Sequence, residues 1–211
     1  MTNPRSGSGL SETCKGELLK IWIGKKYGRT KPDTNKYIEK GLAQEEEGIS
    51  LYSLAQSTFF KKNIEVFENE FIIGTPDLIH ANIVRDIKCS WDIFTFFDVF
   101  RKPINKNYAY QLNGYWDLIP GCQGGKLVYT LVNTPLEILE QEKSKLRYRM
   151  GLIDPEANGV YNMAVQEIEK NGTFDDIPMK ERWIEFEIAK MDMGQVYERV
   201  PTWREFLTNL G

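Results

Sequence analysis

The sequence predicts an α/β (α+β) fold: a central mixed β-sheet flanked by helices. Two observations carry this. Stretches with the 3.6-residue apolar period alternate with short β-branched and aromatic runs, and the order along the chain is helix, strands, helix, strand, helix. In addition, 211 residues that are 41% hydrophobic and 27% charged can supply one sizeable core.

The elements follow in order. Residues 12 to 24 and "TNKYIEKGLAQEEEGISLYSLAQS" (34 to 57) are expected helices, the second weakly interrupted by Gly41 and Gly48. "NIEVFE", "EFIIGTPDLI" and "NIVRDIKCS" then predict three adjacent strands of an antiparallel meander. Helices are expected around 91 to 99 and 106 to 119, followed by the strand "KLVYTLVNT" (126 to 134). Further helices are expected at 135 to 150 and 156 to 171, a strand at "RWIEFEIA" (182 to 189), and one closing helix from 191 to 210. No repeat or composition break divides the chain, so residues 1–11 are expected as a flexible arm and 12–211 as a single domain.

Composition narrows the function. No apolar run approaches the roughly 20 residues that span a bilayer, so no membrane partner is expected. The first ten residues lack the apolar core of a secretory signal, which points to the cytoplasm. Cys14, Cys89 and Cys122 are odd in number and widely spaced, as expected of reduced thiols with no chemistry assigned. A net charge of −3 excludes a uniformly positive surface but not local basic clusters, such as Lys61 with Lys62, "RKPINK" (101 to 106) or "KSKLRYR" (143 to 149).

The chemistry lies in "GTPDLIHANIVRDIKCSW" (74 to 91), where an acid and an amine interrupt an apolar strand. Side chains at i and i+2 share one strand face, so Asp86 and Lys88 project together while Arg85 and Ile87 point oppositely. In the long helix, Ile38, Leu42, Ile49 and Tyr52 define an expected inward stripe on which Glu45 falls, with Glu46 and Glu47 off it. An inward carboxylate needs a partner, because an unpaired buried charge costs several kcal/mol. Glu45, Asp77 and Asp86 can converge on one point, and ligation by oxygen alone favours Mg2+ or Mn2+ over zinc. Lys88 can then orient or deprotonate a water, or neutralise charge developing on a phosphorane-like transition state. Gln111 and Tyr115 lie four apart on one helical face, an amide and a phenol suited to a phosphate or a water. His80 is expected in the turn after Asp77, with a surface or turn role and not that of a ligand.

Taken together, Gly41 with Glu45 and Tyr52, "GTPD" ending at Asp77, "DIK" from Asp86 to Lys88, and Gln111 with Tyr115 resemble the PD-(D/E)XK nuclease superfamily. The likeness is to its phage lambda-type exonuclease and RecB-like branch, and covers residues 38 to 135 best. The resemblance implies a restriction-endonuclease-like core. It implies that Asp77 and Asp86, with the Ile87 carbonyl and Glu45, ligate Mg2+ or Mn2+ while Lys88 serves the water. The chain has neither the first-motif histidine nor the four cysteines found in some RecB-like members. DNA is the expected partner, with a single-strand annealing or binding protein as a second. The leading expectation is a metal-dependent exonuclease acting at DNA ends in phage-type recombination, replication or repair. The alternatives are a structure-specific or single-strand endonuclease with the same metal core, and a noncatalytic DNA-binding subunit.

Overall fold

The computed structural model describes residues 9–31, 36–155 and 158–211. Residues 1–8 of the expected arm lie outside these. The chain divides into two compact units, one of Asn35–Met191 and one made of Met1–Thr34 with Asp192–Gly211.

The larger unit is built around a four-stranded sheet. Its strands are β3 (Leu78–His80), β4 (Ile83–Cys89), β5 (Gly124–Thr130) and β6 (Trp183–Ile188), adjacent in that order. β4 and β5 run parallel and the outer pairs antiparallel, so the sheet is mixed as predicted. A parallel pair cannot be joined by a hairpin and needs a crossover. Here α3 (Ile93–Asp98) and α4 (Lys106–Leu118) supply it. Asp92 starts α3 with a capping box to Thr95, and Asn105 caps α4 through the Asn107 N–H.

Helix α2 (Lys36–Ala55) covers one face of the sheet and α4 the other. On the α2 face Ile49, Tyr52 and Phe60 pack with Leu78, Ile87 and Val128. On the α4 face Val84 and Leu127 pack with Leu112, Tyr115 and Ile188. β4 is therefore buried on both sides, with Ile87 towards α2 and Val84 towards α4. Arg85 follows Ile87: its Nε donates to the Tyr52 hydroxyl at 3.3 Å and its Nη1 to the His80 and Ile83 carbonyls. Asp86 and Lys88 share the opposite face with Val84, as the two-residue period requires.

Three expectations need correction. The three-strand meander is broken: β1 (Phe67–Glu68) and β2 (Ile73–Gly74) form a separate two-stranded sheet, and only β3 joins β4. Pro76 lies inside the run read as a single strand, and it has no N–H for a ladder. The α2 stripe is also misdrawn at its start, since Ile38 is 40% and Leu42 74% exposed while Lys40 and Gln44 are buried. Lys40 donates to the Trp91 carbonyl at 2.7 Å and to Thr134 Oγ1 at 2.8 Å, and a polar residue buried through such partners leaves no hydrophobic signal. Lastly, the closing helix is two, α7 (Gly194–Tyr197) and α8 (Val200–Thr208), in the smaller unit. Pro201 in the first turn of α8 has no N–H to continue α7. α1 (Glu12–Tyr27) packs against α8 in that unit, capped by Ser11 accepting from the Cys14 N–H.

Between β5 and β6 lie α5 (Leu136–Met150) and α6 (Gly159–Gly172), near their predicted bounds. None of the three cysteines is in a disulfide, as expected of reduced thiols. Among the described residues no helix is long and apolar enough to cross a membrane.

Gly48, read from sequence as a weak interruption, is where α2 meets the sheet most closely. A Cβ there would stand 2.7 Å from Thr130 Oγ1, 2.9 Å from Cys89 Sγ and 3.2 Å from Ile87 Cγ2. Gly48→Ala is therefore expected to destabilise the fold by about 1–2 kcal/mol, overpacking outweighing the roughly 1 kcal/mol gained in helix propensity. Thermal melts check this, and a raised melting temperature would contradict the packing described.

Candidate active site

Asp77 is set by the chain around it. The Asn63 N–H donates to its carbonyl at 2.7 Å, and Asn63 Nδ2 holds the Pro76 carbonyl at 3.0 Å. These bonds direct the carboxylate at β4, where Asp77 Oδ2 accepts from the Ile87 N–H at 2.6 Å. Leu78↔Arg85 is the last pair on that side of the β3–β4 ladder. Odd-numbered residues of β4 turn their backbone groups to this edge, so Ile87 has a carboxylate where a strand would otherwise continue. Upstream, a Cβ on Gly74 would lie 2.5 Å from Tyr115 Cε1, so glycine there lets the Tyr115 ring pack against the start of the turn.

On the α4 face, Lys88 Nζ lies 2.8 Å from Asp86 Oδ2. Asp86 is 1% exposed, and its Oδ1 has no hydrogen-bond partner. The Lys88 ammonium also sits 5.0 Å from the centre of the Tyr108 ring. Tyr108, Gln111 and Tyr115 project from α4 at spacings of three and four, and Gln111 Nε2 donates to the Tyr115 hydroxyl at 2.9 Å.

The electrostatics follow from burial. Burial pushes the Asp77 carboxyl up to about 7, with the Asp86 charge adding to it and Glu45 contributing. Burial likewise raises Asp86, against the opposing pull of Lys88 and with Glu45 adding. For Lys88, burial favours the neutral amine, but the Asp86 and Asp77 charges outweigh it and keep the ammonium above its usual range. Burial raises the Tyr115 hydroxyl, which also feels Asp86, Asp77 and Lys88.

Five of the six side chains predicted from sequence thus form one neighbourhood. Glu45 flanks it. Its side chain is 24% exposed against 82% for Glu46, which distinguishes it from its neighbour as expected, although it lies beside Gln44 and Gly48 and not on a stripe with Leu42. It is paired to Lys62 Nζ at 3.1 Å. Among the described residues no three His, Cys, Asp or Glu side chains are close enough to enclose a cation outright. Each acid has its own partner instead: Lys88 for Asp86, the Ile87 N–H for Asp77, and Lys62 for Glu45. The donor set still fits a hard cation, being oxygen only, with one buried carboxylate oxygen unpartnered and a second carboxyl raised by its neighbours. His80 is the last residue of β3 and not in a turn as expected; it is exposed, with its ring and that of Phe60 in a T-shaped contact.

Sequence reasoning missed Asn63, Tyr108 and the role of Lys62. Tyr108 was legible, three residues before Gln111 on the same helical face. Asn63 and Lys62 act through a turn and an isolated bridge that no local pattern announces.

An acid ahead of a hairpin, an Asp-x-Lys strand paired parallel to the next, and a Gln/Tyr helix across that face thus meet on one mixed α/β fold. Solved structures share this fold. A phage-related exonuclease from Haemophilus somnus 129PT matches with a TM-score of 0.75 and 24% identity, over 99% of this chain and 89% of that one. The alkaline exonuclease LHK-Exo from Laribacter hongkongensis matches with a TM-score of 0.58 and 13% identity, over 96% and 82%. The same enzyme in complex with dAMP matches with a TM-score of 0.55 and 14% identity, over 93% and 78%. At these identities the likeness is one of fold. No protein-family profile matches the chain, and no curated protein does.

Proposed function

We propose that this chain is a deoxyribonuclease that hydrolyses phosphodiester bonds at DNA ends with Mg2+ or Mn2+. The observation that carries this reading is the buried Asp86, ion-paired to Lys88 and with Oδ1 unpartnered, facing an Asp77 whose carboxyl is pushed up to about 7 by burial and by Asp86. Asp77, Asp86, the Ile87 carbonyl and Glu45 are the groups that would hold the cation. When bound, it supplies Lewis-acid polarisation of the phosphate and activation of a water.

The chain's own groups have separable tasks. Lys88, kept as an ammonium by Asp86, presents N–H donors where charge gathers on the phosphoryl oxygens, which favours charge neutralisation over proton abstraction. Tyr108 lies against that ammonium and limits where it can swing. The Tyr115 hydroxyl accepts from Gln111, so its own hydrogen is available to a phosphate oxygen. Two exonucleases of the same fold support action at ends, and the complex of LHK-Exo with dAMP supports a nucleotide as ligand. A role in phage-type recombination, replication or repair beside a single-strand annealing protein belongs to the same proposal.

An end-labelled linear duplex compared with a closed circular one tests end dependence. Label release from the linear DNA with the circle intact is expected. Nicking or linearisation of the circle would favour an endonuclease. Glu45→Gln is expected to cost about tenfold or more in rate, with Glu46→Gln and Glu47→Gln near wild type. Equal losses at 46 would mean that Glu45 has no special place.

A further inference from the structure

Immediately beyond the catalytic strand, α3 turns its rings in two directions. Phe96 is fully buried, while Phe94 is 72%, Phe97 47% and Phe100 63% exposed. The exposed three recur at spacings of three, which places them along one side of the helix and the turn after it. Phe97 and Phe100 lie nearly parallel, with centroids 6.3 Å apart and 25° between planes, and Phe186 braces Phe100 edge-on at 6.2 Å. Ile93, Phe94, Thr95, Phe97, Asp98 and Arg101 line a shallow groove of about 470 Å3 on this surface. Contiguous exposed rings of this kind mark a binding surface.

The charges beside the rings indicate what binds. Residues 101 to 106 carry Arg101, Lys102 and Lys106 with no acid, in a chain whose net charge is −3. Asp98 pairs with both Arg101 and Lys102, leaving the group net positive. Asp92 is held by Thr95 in the helix cap. Protein interfaces deplete lysine at their centres, whereas aromatic rings with cations alongside are what an unpaired nucleic-acid strand needs, bases stacking on the rings and phosphates meeting the cations. Duplex bases are stacked on one another and cannot use such a platform. Phe94 follows Lys88 by six residues, so the Cα atoms of the two lie within ~22 Å of one another.

We infer that Phe94, Phe97 and Phe100, with Arg101 and Lys102, form a stacking platform for single-stranded DNA next to the cleavage site. The inference rests on reading the chain as a DNA nuclease, but it is tested without cleavage. The full chain is titrated into a fluorescent 12-nucleotide oligothymidylate and a blunt duplex, in chelator and at several salt concentrations. Phe94→Ala/Phe97→Ala is expected to weaken oligothymidylate binding about tenfold or more, with unchanged salt dependence and unchanged duplex affinity. Arg101→Ala/Lys102→Ala, which removes two cations at about 0.7 each, is expected to lower the salt slope by roughly 1.4. The inference is overturned if the wild type does not bind oligothymidylate, if the aromatic variant binds it as well as wild type does, or if it loses oligothymidylate and duplex alike. A change in sedimentation of the aromatic variant at unchanged DNA affinity would assign the face to a contact between copies of the chain. If cleavage fails while the binding pattern holds, the nuclease proposal falls and the platform stands.

Discussion

Asp86→Ala is expected to abolish the proposed cleavage, by about 10³-fold or more, and to leave a folded protein. The side chain is 1% exposed and burial favours its neutral form, so the native state without a divalent ion bears an unfavourable charge that the substitution removes. The melting temperature in chelator is expected to hold or rise. The pH dependence carries a sign. Asp77 titrates near 7 in the fold against an ordinary value of 3.8, so between about pH 4 and 7 the native state binds more protons than the unfolded chain. Stability from this site is thus greatest at the acid end of that window, declines as pH rises through it, and is flat above. Without the Asp86 charge, the second cause of the Asp77 shift after burial, the decline shrinks. Melts at pH 5 and pH 8 measure it. Collapse of the variant in chelator would instead make Asp86 a structural ion-pair member.

Lys88→Ala gives the complementary result. The rate is expected to fall about 10²–10³-fold, because in the proposed mechanism the ammonium acts on charge developing at the phosphate. Divalent-ion affinity is retained or improved, since Lys88 occupies Asp86 Oδ2 at 2.8 Å and is not itself a ligand. In chelator the variant is expected to lose about 1–3 kcal/mol of stability, because removing one partner leaves the other buried and unpaired; the 27% exposure of Lys88 moderates the loss. Manganese should restore it. Calorimetry with Mn2+ separates the roles: metal affinity lost along with rate would place Lys88 among the groups that organise the ligands.

The site was more legible than the scaffold that aims it. Asp86 and Lys88 announced themselves because charges two apart in an apolar strand must share a face, and the α4 pair because four residues is one helical turn. The α2 stripe failed where Lys40 and Gln44, both polar, are buried, since hydrophobic periodicity registers only positions stabilised by apolar contact. The meander failed because Pro76 and the Gly74–Tyr115 contact divide one apolar run into two strands of different sheets. Glu45 was correctly set apart from Glu46 although the stripe invoked for it was partly wrong, because the true inward face of Gln44, Gly48 and Tyr52 runs beside it. Nothing local could reveal that Lys62 would pair with it.

The most direct test of the account is nucleotide release from an end-labelled linear duplex, followed over time for the wild type and Asp86→Ala with Mg2+ or Mn2+ and in chelator. The account predicts release by the wild type with divalent ion, none in chelator, and none by Asp86→Ala under either condition. Wild-type release that persists in chelator, or equal release by the variant, would contradict a metal-dependent site built on Asp77, Asp86 and Lys88.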